Sequence, residues 1–409
     1  MRHLILGFSA AGANAAETLR QRDPEAEITV LNGERQPFYL RLDLEGVFQG
    51  KPLEQLLPRP PEYWEERGIR VLQDRARKVN PASHEVQTES GGALNYNRLL
   101  IATGAMPRDL KVPGRELEGI FNYHTLDDAL AIYALRDRVR RAVIIGGGIL
   151  GLELAHSTRA FGWEITLIVR RDYVGSPTVD ASGGALLLSS LERAGVKVIF
   201  RDEVAAFEGK EHRLTAVRTT SGRVLPCEFA SICAGVIPDV GFLQDSGLLE
   251  DGQLIVGERL QTSAPDIFAA GDCAAVRATD GRLIGCHTWN VAQSQARVAA
   301  ANMSGEEAKW SEGVLYNLDA LFDQEFAIIG PWADRHLPGR TLHEFSSTSS
   351  YRALVTRNGI LESAMLLGNR SLDRRLRKLI AARFVTGDRI EQVLDDNLPV
   401  EELLKSRVD

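Results

Sequence analysis

RAVIIGGGILGLELA, residues 141–155, is the stretch on which the reading of this chain turns. The apolar run Ala142–Ile145 has the length of a buried strand. It breaks at Gly146-Gly147-Gly148 and resumes through Gly151 as an apolar helix. Here the glycines stand at G-x-G-x-x-G spacing. The first makes a tight turn, the second admits a pyrophosphate against the backbone, and the third lets helix lie on strand. N–H groups at the helix start would face the phosphates, where the helix dipole also favours negative charge. One such turn is a weak sign. A second copy opens the chain: HLILGFSAAGANAAETL, residues 3–19, with Gly7, Ser9 and Gly12 at the three positions.

With 409 residues, two or three domains are expected rather than one core. An apolar fraction of 44% and a charged fraction of 25% describe an ordinary globular protein. The net charge of -7 argues against nucleic acid, which favours a basic domain. No apolar run approaches the ~20 residues of a membrane helix. The first strand begins almost at Met1, without the n-region of a signal peptide, so a cytoplasmic protein is expected. Cys227, Cys233, Cys273 and Cys286 have neither C-x-x-C nor zinc spacing, and read as reduced thiols.

Around the first glycine turn, residues 3–6 read as a strand and Ala13–Arg20 as a helix. The strand Glu27–Leu31 should end near an acid for ribose hydroxyls. Asn32 stands at its end and Glu34 follows, with Glu34 favoured. Residues 36–50, QPFYLRLDLEGVFQG, read as a loop with a short helix; residues 58–61, PRPP, punctuate the chain. Glu62–Arg67 reads as a helix, residues 68–72 as a strand, and Val86–Leu94 as a hairpin turning at Ser90-Gly91-Gly92. The strand Leu99–Ala102 then runs into Thr103-Gly104, a small hydroxyl and a glycine that let a loop lie against a bound cofactor.

These stretches together resemble the two-dinucleotide-binding-domain flavoproteins, in particular the rubredoxin and ferredoxin reductases and the N-terminal part of assimilatory nitrite reductases. The resemblance covers residues 1 to about 305 in five ordered motifs. It implies an α/β fold with two nested Rossmann-like domains, for FAD and NAD(P), plus a C-terminal α+β domain. The expected boundaries are 1–112 and 241–309 for the FAD domain, 113–240 for the NAD(P) domain, and 310–409 for an interface or docking domain.

Residue by residue, the resemblance assigns Gly7, Ser9, Ala11, Gly12, Asn32, Glu34, Arg41, Ala76, Ala102, Thr103, Gly104, Gly271, Asp272 and Trp289 to FAD. Asp272, in QTSAPDIFAAGDCAAV, would hydrogen-bond the ribityl chain, although it could also cap a helix. Trp289, in the helix within residues 287–305, would reach toward the flavin. Gly146, Gly148, Ile149, Leu150, Gly151, Glu153, Arg170, Arg171 and Gly235 would hold NAD(P)H. Glu153 and Arg41 are candidates for positioning the nicotinamide and flavin, while Glu153 could equally be an ordinary helix residue.

Disulfide-using relatives carry a cysteine pair, or one cysteine, in the helix after the second FAD strand. Residues 36–48 contain none, which removes thiol–disulfide exchange at that place. Tyr39-x-Arg41 with Leu44 matches the carrier-type reductases, whereas Glu45-Gly46 replaces their Ser-Lys. The implied function is an FAD-dependent NAD(P)H oxidoreductase serving an iron–sulfur or rubredoxin-type carrier, as a monomer or homodimer. Alternatives are an oxidase or small-molecule reductase, and a redox-responsive binding protein resembling apoptosis-inducing factor. Arg374, Arg375, Arg377, Lys378 and Arg383 could form a docking patch for an acidic carrier or a solvated helix face. The strand Glu164–Val169 ends in valine and is followed by Arg170-Arg171, where NADH enzymes usually carry an acid at the strand end. NADPH is therefore expected to serve at least as well as NADH, unless Asp172 rescues NADH.

Overall fold

A computed structural model describes residues 1–285, 288–395 and 397–405. Cys286 and His287 lie outside the described residues. The chain forms two compact units: residues 1–107, 124–133 and 236–311, and residues 108–123, 134–235 and 312–409. Among the described residues, no helix is long and apolar enough to cross a membrane.

The first unit is built on a five-stranded parallel sheet. Its strands are β1 (Arg2–Leu6), β2 (Glu27–Asn32), β3 (Ile69–Gln73), β4 (Arg98–Ile101) and Ile267–Ala269, in the order β3-β2-β1-β4-(267–269). Each central strand is apolar on both faces, as a sheet covered on two sides requires. Helix α1 (Ala10–Arg22) starts three residues earlier than its sequence suggests, directly after Ser9. Its alanines Ala13, Ala15 and Ala16 are almost fully buried, and their small size admits the close neighbour α4 (Trp289–Met303), also alanine-rich.

The second unit repeats this topology with β5 (Arg141–Ile145), β6 (Glu164–Val169), β7 (Lys197–Phe200), β8 (Phe229–Ile232) and Ile120–Asn122. Their order is β7-β6-β5-β8-(120–122). Helix α2 (Ile149–Thr158) follows its glycine turn, and α3 (Ala181–Arg193) precedes β7.

Each unit also inserts a three-stranded antiparallel meander, over 76–95 between β3 and β4 and over 204–226 between β7 and β8. The two meanders are fastened alike. Ser90 Oγ donates to Asp74 at 2.5 Å, and Ser221 Oγ donates to Asp202 at 2.6 Å.

Residues 316–368 form a five-stranded antiparallel sheet, in the order 316–321, 324–329, 360–368, 351–357, 340–346. The strand Arg340–Ser346 was not visible in the sequence, because its alternation is broken by charges. Helix α5 (Asp373–Ala381) buries Leu376 and Leu379 in one core with Ala327, Leu354 and Leu366. A single 3-10 turn, Gln392–Leu394, follows further on.

Candidate functional site

At the first glycine turn, backbone passes backbone with no room for a side chain. Gly7 has φ +101°, and a Cβ there would lie 2.2 Å from the Ala102 carbonyl oxygen. A Cβ on Gly12 would lie 1.9 Å from the Gly7 oxygen. The second turn has the same construction: Gly146 at φ +119° would meet the Cys233 oxygen at 2.2 Å, and Gly151 the Gly146 oxygen at 2.0 Å. Gly148, by contrast, has nothing nearer than the Ser176 oxygen at 3.8 Å. Its lack of a side chain serves open space, not packing. Ser9 and Gly148 stand at the N-caps of their helices without a side-chain capping bond, and first-turn N–H groups of this kind suit an anion.

The strand end next to the first turn is enclosed. Asn32 is spent on the backbone: its Nδ2 donates to Gln36 O at 2.9 Å, and its Oδ1 accepts from Glu34 N–H at 3.1 Å. Glu34 is aimed by two donors, Tyr39 Oη at 2.6 Å and Arg41 Nη2 at 2.5 Å. Tyr39 Oη also accepts from Leu126 N–H at 3.1 Å, and Arg41 donates to the His124 oxygen. Burial raises the Tyr39 phenol and lowers the His124 imidazole, so both are neutral at pH 7. Of the two candidates for ribose hydroxyls, Glu34 therefore keeps the oriented carboxylate and Asn32 holds the loop.

Gly271 (φ +84°) brings residues 261–276 against this turn, with Ala11 Cβ 3.4 Å from where its own Cβ would stand. Asp272 follows, half-buried. The alternative in which it caps a helix is corrected. The chain continues as the strand Ala274–Arg277, paired in parallel with Gln253–Val256, and α4 starts only at Trp289. Gln295 on α4 is 1% exposed and accepts from Gly271 N–H at 2.8 Å, yet its Nε2 has no hydrogen-bond partner among the described residues. An orphaned buried donor beside two cradles too narrow for a Cβ is what a polar ligand held here would leave behind. Trp289 is half-buried and stacks on Phe38 at 6.4 Å. Thr103 Oγ1 donates to Asp239 O at 2.7 Å, tying its loop to residues 236–239. Gly104 is open at φ +71°, Ala102 is buried, and Ala76 begins the first meander.

In the second unit, Ile149 and Leu150 form the half-buried start of α2, and Glu153 is its one carboxylate, also half-buried. Gly235 takes φ +95° after β8. Val169 is buried, and a Cβ on Gly147 would lie 2.7 Å from its side chain. Arg170, Arg171 and Asp172 then emerge exposed. Cys227, Cys233 and Cys273 are all buried, and burial pushes Cys227 up to about 12 and Cys273 to about 11. On α5, Arg375 donates to Asp395 O and Gln392 O, Arg377 pairs with Asp373, and Lys378 with Glu401. Arg374 and Arg383 remain exposed.

Residues that sequence reasoning missed are Gln295, Tyr39 as a donor to Glu34, Arg201 as a donor to Asp172, and the Asp74 and Asp202 clamps. Only the clamps left a trace, the repeated Thr-x-Ser-Gly at 88–91 and 219–222.

Residues 1–296 match the family described as pyridine nucleotide-disulphide oxidoreductases. The chain is 30% identical to the 5,5'-dehydrodivanillate O-demethylase ferredoxin reductase subunit of Sphingobium sp., over 98% of this chain and 97% of that one. Apoptosis-inducing factor 3 of Homo sapiens is 32% identical over 80% of this chain and 54% of that protein. The crystal structure of the ferredoxin reductase for the CYP199A2 system from Rhodopseudomonas palustris matches with a TM-score of 0.87 at 26% identity, over 98% of this chain and 99% of that one. The chain belongs to the pyridine nucleotide-disulphide oxidoreductase family and is an FAD-dependent NAD(P)H oxidoreductase.

Proposed function

We propose that this protein takes electrons from NAD(P)H and delivers them to a small one-electron protein carrier of the ferredoxin or rubredoxin type, without a thiol relay. The observation that carries this reading is the sulfur-free segment 36–48. Cys273, directly after Asp272, is 1% exposed and protonated at neutral pH. Its Sγ faces the Ile101 and Ala270 oxygens at 3.4 Å each. Thiolate chemistry needs an accessible, ionised sulfur, and this one is neither.

Bound FAD supplies the redox step, accepting a hydride equivalent from NAD(P)H and releasing electrons singly. The chain's own residues bind and orient. Gly7, Gly12 and the start of α1 would cradle the FAD pyrophosphate, and Glu34, aimed by Tyr39 and Arg41, would hold the adenosine ribose. Asp272 would accept from ribityl hydroxyls, and the turn Gly146–Gly151 would hold NAD(P)H, with Glu153 helping to place its nicotinamide. Residues 310–409 would serve as the docking or interface domain, with three of the five basic residues on and after α5 bonded within the chain.

The test is anaerobic reduction with NAD(P)H, followed by purified ferredoxin or rubredoxin. Carrier-dependent reduction of cytochrome c is expected. Rapid turnover with oxygen or a quinone in the absence of carrier would instead favour the small-molecule reductase. Very slow reoxidation with a change in oligomeric state would favour the redox-responsive binder.

A further inference from the structure

The end of β6 carries three charges, and the structure separates them. Asp172 is held from both oxygens by Arg201, Nε to Oδ1 at 2.7 Å and Nη2 to Oδ2 at 3.1 Å. Arg201 directly follows β7, with a left-handed backbone at φ +55°. Its N–H lies 3.4 Å from the Arg171 oxygen, and Asp202 N–H lies 3.5 Å from the Val169 oxygen. This register places Arg201 beside the residues that leave the second strand. Its hydrogen bonds hold the Asp172 carboxyl below the usual carboxylate range. Arg170 and Arg171 are exposed on the same turn.

A ribose 2′-hydroxyl is held by a carboxylate that can accept from it, whereas a 2′-phosphate is repelled by that carboxylate and held by guanidinium. Here the one carboxylate of the turn is already committed, and two guanidiniums stand before it. We infer that the second glycine turn takes a 2′-phosphorylated adenosine, that of NADPH, through Arg170 and Arg171. Arg201 is the positioning residue that sets this choice by withdrawing Asp172. The inference rests on reading the turn Gly146–Gly151 as the coenzyme site.

The test measures binding of 2′,5′-ADP and of 5′-ADP to the FAD-loaded protein, with no turnover involved. The parent should prefer 2′,5′-ADP at least tenfold, and Arg170→Ala with Arg171→Ala should abolish that preference. Arg201→Gln, an exposed change, should lower the preference several-fold by releasing Asp172. Adding Asp172→Asn to Arg201→Gln should restore most of it, which a merely structural role would not do. Equal binding of both nucleotides by the parent would overturn the inference. An Arg201→Gln effect that persists beside Asp172→Asn would do the same for the role of Arg201. In either case the oxidoreductase reading stands if both coenzymes still bleach the flavin. Failure of both nucleotides to bind, with neither coenzyme bleaching the flavin, would remove the reading of the site itself.

Discussion

Gly7–Gly12 and Gly146–Gly151 agree down to single hydrogen bonds. Gly7 N–H donates to Leu31 O at 2.9 Å, and Gly146 N–H donates to Ile168 O at 2.9 Å. Ala102 N–H reaches Leu6 O at 2.8 Å, and Cys233 N–H reaches Ile145 O at 2.7 Å. The strand order and the meander clamp repeat as well. The units part company one residue past the second strand. In the first, a carboxylate is aimed by a phenol and a guanidinium at 25–30% side-chain exposure. In the second, a carboxylate pairs with Arg201 in solvent, directly after two exposed arginines in the chain. On the function proposed here, the shared backbone would hold a dinucleotide in each unit, and the side chains after the second strand would set which one.

The most damaging way to break the comparison is to fill the third glycine of either turn. Gly12→Val and Gly151→Val each drive a side chain into a backbone oxygen that cannot yield, and should destabilise their own unit by about 3 kcal/mol or more. Gly12→Val should purify without flavin. Gly151→Val should remain yellow yet fail to be reduced by NAD(P)H, as read from visible absorbance. Loss of flavin from both would show that the units cannot be perturbed separately.

The two carboxylates provide a sharper contrast. Asp272→Ala and Glu34→Ala each remove a charged acceptor, worth about 1.5–3 kcal/mol. FAD affinity, followed by fluorescence of released flavin, should fall roughly ten- to hundredfold. Asp172→Ala breaks only a solvent pair, and the urea midpoint should stay at that of the parent.

Acid should separate the units next. His3 is 1% exposed, and neither ring nitrogen has a hydrogen-bond partner among the described residues. Burial lowers it to about 4. At the matching position of β5 stands Ala142. Above pH 6.5 His3 is neutral whether folded or unfolded and stability is unaffected. As pH falls, only the unfolded chain gains the proton, so stability should drop by about 2 kcal/mol by pH 5. His3→Leu should flatten that dependence in urea titrations. An unchanged slope would mean that the imidazole is not the group responsible.

The smallest effect is expected from the thiols. Changing all four cysteines to Ser or Ala should leave ferricyanide reduction within a few-fold of the parent. Anaerobic titration should consume one NAD(P)H per flavin. A stoichiometry of two, abolished by Cys273→Ser, would restore disulfide chemistry.

Both glycine turns, the Thr103-Gly104 loop and the Gly271-Asp272 turn were legible in the sequence, because each needs a small residue where backbone meets backbone or ligand. What stayed hidden depends on partners far along the chain. Glu34 gains its orientation partly through Leu126 and His124, and Asp172 is withdrawn by Arg201. Asp272 could have capped a helix but leads into a strand, since glycine turns look alike until the next pairing is known. Arg340–Ser346 lacks an apolar rhythm because Arg340, His343 and Glu344 interrupt it, and only its pairing with Tyr351–Arg357 marks it as a strand.

The fifth strand of the first sheet has a consequence for synthesis. Leu99 waits for Ile267 as its neighbour, whereas every strand of the second sheet lies between Ile120 and Ile232. On a ribosome that adds residues in order, the later glycine turn is therefore framed by a finished sheet before the earlier one. Non-local pairing of this kind is slow to form and leaves the edge of β4 exposed meanwhile. The unit that begins the chain is the one that must wait to be completed.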